Sequence, residues 1–435
     1  MRKEARRPPG GRSRPALTVA LVSTGSELTA GRTVDTNAAR LARDLEPLGG
    51  RVVFHVTVGD DRRAIADALR LACARARLVI ISGGLGPTRD DLTRDVLASV
   101  ARRPLVLHGP SLANVVKRLS ARLGRGAPIP ANNRLQALVP RGAKALPNPA
   151  GTAAGFALRL RGAWVVALPG VPRELDVMMG RSVTPWLGRK GLARRPAFAR
   201  SLTLCGIPES VVDDAIDRVG VPLDGLEIAL TVDEGVVKIV AASPAGGAPR
   251  RDAVRRIRAL HRALRRRFRD AVVSPEGLPL AEAVARTLIR SGRTVAIAES
   301  CTGGLVTRQL AAVPGISASL LEAVVAYSNR AKIRRLGVPA ALLRRHGAVS
   351  AEVAAAMAKG AARTSGADVG LGVTGVAGPG GGTPEKPVGL VWFGAWARGR
   401  ARAEHRRFRG DRREVQERAA VAALDLLRRT LSGGT

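Results

Sequence analysis

Cysteine is scarce in this chain: Cys73, Cys205 and Cys301 lie far apart among 435 residues. An odd count at that spacing excludes a disulfide framework and a zinc-ligand cluster, and makes the cytoplasm the default location. No apolar run approaches the ~20 residues that a membrane-spanning helix needs. The opening, residues 1–15, is a basic tail rich in proline and glycine. The apolar run after it, 16–22, is too short for a secretory signal and leads directly into Ser23-Thr24-Gly25-Ser26-Glu27-Leu28. No repeat of solenoid period is visible. Lysine is rare as well, eight of the 71 basic residues, the remainder being arginine spread along the chain. The net charge of +36 therefore reads as solvated arginine-rich faces, not as one nucleic-acid surface. Two concentrations stand apart: the tail, and residues 250–269 with ten arginines. Nucleic-acid binding through that second segment is the alternative, unfavoured reading.

What is present is an alternation of strand and helix patterns. Residues 17–22, 51–58, 78–82 and 163–168 read as strands, and 36–48, 62–76 and 92–100 as helices, which predicts βαβ units around a parallel sheet. The first domain is expected over 16–187. Residues 188–273 read as a small α+β spacer, with short strands at 227–232 and 236–241 and a basic helix at 250–268. Residues 274–435 read as a second α/β domain, with helices at 280–290, 351–364 and 413–431 and strands at 294–298, 321–327, 368–373 and 388–396.

Chemistry-bearing residues fall at the strand ends. In the first domain Gly83-Gly84-Leu85-Gly86-Pro87-Thr88 precedes Asp90, Asp91 and a helix. Glycines let backbone amides approach an anion, and carboxylates at a helix start suit a divalent cation that bridges phosphate oxygens. With Glu27, Asp60 and the segment Ala131-Asn132-Asn133-Arg134 this favours a phosphate-and-metal reading, with Asp60, Asp90 and Asp91 as metal ligands. No Gly-Lys-Ser/Thr follows, which disfavours an ATPase. In the second domain Glu299-Ser300-Cys301-Thr302-Gly303-Gly304 ends a strand. Two further clusters, Tyr327-Ser328-Asn329-Arg330-Ala331-Lys332 and the glycine-rich loop Gly372–Gly382, lie in the same stretch.

These motifs resemble the CinA family of competence/damage-inducible proteins, over nearly the whole chain. The N-terminal match rests on Thr24-Gly25-Ser26-Glu27-Leu28, Thr36-Asn37, Val58-Gly59-Asp60, the Gly83–Leu92 run, Asn132-Asn133, Gly151-Thr152 and Leu168-Pro169-Gly170-Val171-Pro172. The C-terminal match rests on the Glu299–Gly304 segment, Tyr327-Ser328-Asn329, His346-Gly347-Ala348-Val349-Ser350, Thr374-Gly375-Val376-Ala377-Gly378-Pro379 and Lys386-Pro387-Val388-Gly389. Ser26 stands where the family usually has threonine, and Asp35 where it usually has asparagine. The resemblance implies a molybdopterin-binding-like, doubly wound first domain with ADP-ribose pyrophosphatase activity in some relatives, dependent on a divalent metal ion. Its nucleotide would lie against Gly25, Glu27, Asn37, Gly83, Gly84, Gly86, Pro87, Thr88, Asn133 and Gly170. It further implies a KH-like middle module, a homodimer, and a C-terminal amidase that converts nicotinamide mononucleotide to nicotinate mononucleotide and ammonia without a cofactor. The middle segment shows no Gly-x-x-Gly clamp between helices, so it reads as a spacer.

A carboxamide needs a nucleophile, a base and donors for the developing oxyanion. Ser300, Cys301, Thr302 and Ser317 are the candidate nucleophiles; the resemblance selects Ser317, with Tyr327 and Lys332 as its partners. Tyr327 is expected to end a strand and Lys332 to fall in the first turn of the next helix. There the helix dipole and Arg330, Arg334 and Arg335 would disfavour an ammonium and leave the amine partly neutral. Ser300, Cys301, Thr302, Gly303, Gly304 and Asn329 would line the substrate site or its oxyanion hole. Thr374, Gly375 and Gly378 would hold ribose and phosphate, and Arg412 would pair with the phosphate.

Overall fold

The computed structural model describes residues 17–124, 128–193, 198–243 and 250–433; the 1–15 tail lies outside them. The described residues form two compact units, one up to residue 198 and the other spanning 199–242 and 250 onward.

The first unit is built on a six-stranded sheet. Its strands are β1 (Leu17–Thr24), β2 (Gly50–Val58), β3 (Leu78–Ser82), β6 (Lys144–Leu146), β7 (Gly155–Leu160) and β8 (Ala163–Leu168), with β4 (Leu105–Leu107) and β5 (Leu138–Pro140) as a separate pair. The order is β2-β1-β3-β8-β7-β6, parallel from β2 to β8 and antiparallel beyond. All five residues of β3, Leu-Val-Ile-Ile-Ser, are buried, because helices cover both faces of the parallel part. The helix Arg62–Arg75 covers one face through Ile65 and Leu69, and Thr36–Leu45 the other through Leu41 and Leu45. Asp35 caps Thr36–Leu45 by accepting from the Ala38 N–H. Residues 101–162 lack clear periodicity in sequence; they fold as the helix Gly109–Leu123 and the short strands β4 to β7.

The second unit begins with an antiparallel sheet of β9 (Ala199–Cys205), β10 (Glu227–Asp233), β11 (Val236–Ala242) and β12 (Val272–Ser274), ordered β10-β11-β9-β12, with the helices Glu209–Asp217 and Arg250–Arg267. It continues into the sheet β14-β13-β15-β16-β17, made of β13 (Val295–Glu299), β14 (Leu320–Val325), β15 (Val369–Gly375), β16 (Leu390–Ala397) and β17 (Arg400–Arg407). Alternation along β13 decides its two faces: Val295 and Ile297 pack with the helices Leu280–Ser291 and Arg412–Leu431, Ala296 and Ala298 with Ala351–Ser365. No helix among the described residues is long and apolar enough to cross a membrane.

The Ala351–Ser365 helix lies unusually close to the sheet. A Cβ on Gly370 would sit 1.9 Å from the Ala358 carbonyl oxygen, and one on Gly394 2.1 Å from that of Ala354. Backbone against backbone cannot give way as a side chain does. Gly370→Ala is therefore expected to destabilise the second unit by about 1–3 kcal/mol, read as a lowered thermal unfolding midpoint; an unchanged midpoint would show that the helix can lift off.

Candidate active site

β13 ends in Glu299, whose side chain is fully buried. Its carboxylate accepts from the backbone N–H groups of Gly304 (2.9 Å), Val306 (3.2 Å) and Thr307 (2.9 Å) and from the Thr307 hydroxyl (2.6 Å). One side chain thus takes up the free amides at the start of the Leu305–Ala311 helix, where a negative charge is favoured. The turn between strand and helix, Ser300 to Gly304, is folded tightly by this capture. Gly303 and Gly304 both adopt positive φ, 62° and 101°. From the far side Gln416 donates to the Cys301 carbonyl at 2.7 Å.

Lys332 sits in the first turn of the Asn329–Leu336 helix, whose cap is Ser328, accepting from the Ala331 N–H at 3.1 Å. The side chain runs inward and is 1% exposed. Its Nζ donates to Ser300 Oγ (2.9 Å) and to the carbonyls of Ala326 (2.8 Å) and Tyr327 (3.3 Å). Burial pushes its pKa below the ordinary lysine range, opposed by the nearby Cys301. The expected direction is therefore present, while its cause is desolvation: Arg330, Arg334 and Arg335 are exposed and do not contribute.

The expected trio of Ser317, Tyr327 and Lys332 does not assemble. Ser317 is exposed in the turn Ile316–Ala318 that precedes β14, whereas Ser300, Tyr327 and Lys332 collect where β13 and β14 end. The six residues of β14, at ~3.3 Å each, leave about 20 Å between the two places. Tyr327 contributes its carbonyl, not its hydroxyl: the ring is 60% exposed, and its oxygen accepts from Arg412 at 2.7 Å. Arg412 also donates to the Gly378 carbonyl at 2.7 Å, which ties Tyr327 to the glycine-rich loop. Cys301 is buried and its thiol is pushed up to about 12, chiefly by desolvation, so the thiolate is absent near neutral pH. Thr302 is 1% exposed, and its hydroxyl has no hydrogen-bond partner among the described residues. Thr374, also buried, donates to the Ala348 carbonyl at 2.8 Å and so holds the turn before Ala351–Ser365. Asn329 is exposed at the helix start, and Gly375 ends β15. Glu299 and Gln416 were not singled out as supports. The spacing from Glu299 to the amides of Val306 and Thr307 is the signal that could have identified the first.

In the first unit the loops do share one sheet edge: Gly25 N–H donates to Val58 and Gly83 N–H to Leu168, both 3.0 Å. Asn37 donates to the Gly170 carbonyl at 2.7 Å, and Gly84 accepts from the Thr93 N–H at 3.1 Å. Asn133 donates to the Pro130 carbonyl at 3.2 Å. The carboxylates are occupied locally. Asp60 accepts from Ser26 N–H at 2.7 Å, and a Cβ on Gly25 would meet the carboxylate of Glu27 at 2.6 Å. Asp91 accepts from the amides of Gly86 (2.8 Å) and Thr88 (2.9 Å) and from the Thr88 hydroxyl, closing the loop over Pro87. Asp90 is solvent-facing and held below the usual carboxylate range by Thr88. No group of three or more His, Cys, Asp or Glu placed to hold a metal occurs among the described residues. As arranged, Asp60, Asp90 and Asp91 do not fit a metal site: two of them cap loops.

A family model described as CinA C-terminal domain matches residues 278–431, and one described as probable molybdopterin binding domain matches residues 20–189. A CinA-like protein of Gemmatimonas aurantiaca is 40% identical over 418 residues, covering 96% of this chain and 97% of its own length. A putative competence-damage inducible protein of Alkaliphilus metalliredigens is 40% identical over 412 residues, 94% of this chain and 98% of that protein. Among solved structures, the competence/damage inducible protein CihA from Agrobacterium tumefaciens is 40% identical, covering 36% of this chain and 97% of its own, with a TM-score of 0.34.

Glu299→Gln replaces one buried acceptor by a donor facing amide N–H groups. It is expected to cost about 2–3 kcal/mol in thermal unfolding of the second unit; a neutral effect would mean that the amides find water or other acceptors.

Proposed function

This chain belongs to the CinA family, and on that premise we propose that its C-terminal domain hydrolyses nicotinamide mononucleotide to nicotinate mononucleotide and ammonia, with Ser300 as nucleophile and Lys332 as its base. The observation that carries this reading is the 2.9 Å contact between a buried, pKa-lowered amine and a serine at the end of a strand. A neutral amine keeps two N–H bonds, which the carbonyls of Ala326 and Tyr327 take, and its lone pair then faces the Ser300 hydroxyl. The two carbonyls therefore orient the base.

Ser300 Oγ attacks the carboxamide carbon while its proton passes to Lys332. The oxyanion lies against the amides of Cys301 and Thr302, with Thr302 Oγ1 as a further donor, the Gly303 and Gly304 amides being taken by the Ser300 carbonyl and Glu299. Lys332 then returns the proton to the amine, ammonia leaves, and an ester to Ser300 remains. Water attacks this ester, again giving up its proton to Lys332, and the carboxylic acid departs as Ser300 is reprotonated. The glycine-rich loop and Arg412 hold ribose and phosphate, the two guanidinium contacts on Gly378 and Tyr327 keeping that arginine in place. For the first unit the proposal is a nucleotide site at the Gly83–Thr88 loop, with ADP-ribose as the substrate to test. A homodimer is part of the same reading.

Ammonia release from nicotinamide mononucleotide separates the candidates. Ser300→Ala and Lys332→Met are expected to lower kcat by at least about 10³-fold with the fold intact by circular dichroism, and Ser317→Ala to leave it near the wild-type value. Loss in S317A with retention in S300A would transfer the role to Ser317. Because the base must be neutral, kcat should rise with pH through one ionisation below the ordinary lysine value and then level off. A rate independent of pH over that range removes Lys332 as the base.

A further inference from the structure

The basic helix Arg250–Arg267 is not uniform. Towards its start Arg255 and Arg256 pair with Asp252, and Arg256 also donates to the Asp224 carbonyl. Beyond it Arg262, Arg265 and Arg266 recur at i, i+3 and i+4, which places them along one side, Arg269 follows in the short turn Arg269–Ala271, and none of the four side chains has a hydrogen-bond or ion-pair partner among the described residues. Like charges at that spacing repel by a few tenths of a kcal/mol per pair. All four line an open pocket of about 820 Å³.

The opposite wall is also cationic. Arg402 on β17 and Arg428 and Arg429 in the last turns of Arg412–Leu431 complete the lining, against a single acid, Asp270. Arg428 is fixed by donating to the Asp270 and Val272 carbonyls and to Asp425, and Arg429 by Asp425 and Glu404. This wall is rigid and the arginine stripe faces it. Burial, followed by the charge of Arg429, holds Arg402 below the usual guanidinium range, the direction that crowded cations produce.

We infer that this pocket binds a condensed phosphate chain of three or more phosphoryl groups. Guanidinium forks match phosphate oxygens two at a time, and a chain of linked phosphates is the compact anion whose charge density answers seven arginines in this volume. No aromatic side chain lines the pocket, so it offers no platform for stacked bases such as single-stranded nucleic acid uses. The chemistry is shared by free polyphosphate and by the phosphate tail of a nucleotide.

Calorimetric titration of the full-length protein at about 0.15 M salt, where charges beyond ~8 Å are screened, tests this. The probes are inorganic tripolyphosphate, ATP without divalent ion, orthophosphate and a single-stranded oligonucleotide. Tripolyphosphate is expected to bind one per chain and orthophosphate far more weakly. The exposed pair R265A/R269A should weaken tripolyphosphate by about tenfold or more, while R62A/R63A, equal in charge but in the first unit, leaves it unchanged. ATP competing with tripolyphosphate identifies a nucleotide tail as the ligand, and binding of tripolyphosphate alone identifies the free chain. The inference is overturned by no saturable binding, by equal weakening in both double variants, or by an oligonucleotide that binds through Arg265 and Arg269 and is not displaced by tripolyphosphate. Amidase turnover is a separate readout, so either result stands whatever becomes of the amidase reading.

Discussion

An amino group removed from water holds its proton less firmly, because burial penalises the charged form and leaves the neutral one almost untouched. Lys332 is placed under this constraint by the packing around it. Ala298, Ala326, Leu336 and Val338 belong to the buried cluster beneath the Ala351–Ser365 helix, and the lysine stem passes inward beside them. Among the described residues, Nζ hydrogen-bonds to two main-chain carbonyls and one hydroxyl. The carbonyls satisfy the nitrogen without supplying a negative charge that would fix the proton on it. A carboxylate in their place would have made a salt bridge and an inert lysine.

The serine's position depends on a second buried ionisable residue with the opposite task. Glu299 accepts from four donors and so shapes the turn from Ser300 to Gly304. Strand register then brings the two together: Glu299 lies opposite Val325, its carbonyl accepts from Ala326 N–H at 2.8 Å, and the helix that holds Lys332 starts three residues later. The close approach of Ala351–Ser365 to the glycines of β15 and β16 keeps this edge from shifting.

Much of this was legible in the sequence. Apolar runs of five to eight residues between amphipathic stretches located β1, β3, β8 and β13, since strands buried on both faces need no alternation. The sequence reading missed β17, whose Arg-Ala-Arg-Ala-Glu-His-Arg-Arg looks like a solvated loop. It is an edge strand, joined to β16 by Arg398 and Gly399 at φ 52° and 76°, and its Arg406 reaches Asp425 on the helix Arg412–Leu431. For the site, the structure brings Ser300, Tyr327 and Lys332 of the quoted motifs to one place and leaves Ser317 at the other end of β14. The choice between Ser300 and Ser317 turns on which end of a parallel strand each occupies, and motif order along the chain does not report that. The scarcity of lysine was itself a clue, because arginine cannot give up its proton in water-like conditions and so could never stand in for Lys332.

Cys301 follows Ser300 directly, yet with a pKa of about 12 and almost no exposed surface it stays a thiol. Oxidants attack thiolates in contact with solvent. In the proposed reaction the nucleophile is an oxygen and the base an amine, and the neighbouring sulfur is kept protonated and dry, so peroxide meets no thiolate there. The proposed turnover is thereby decoupled from the redox state of its surroundings.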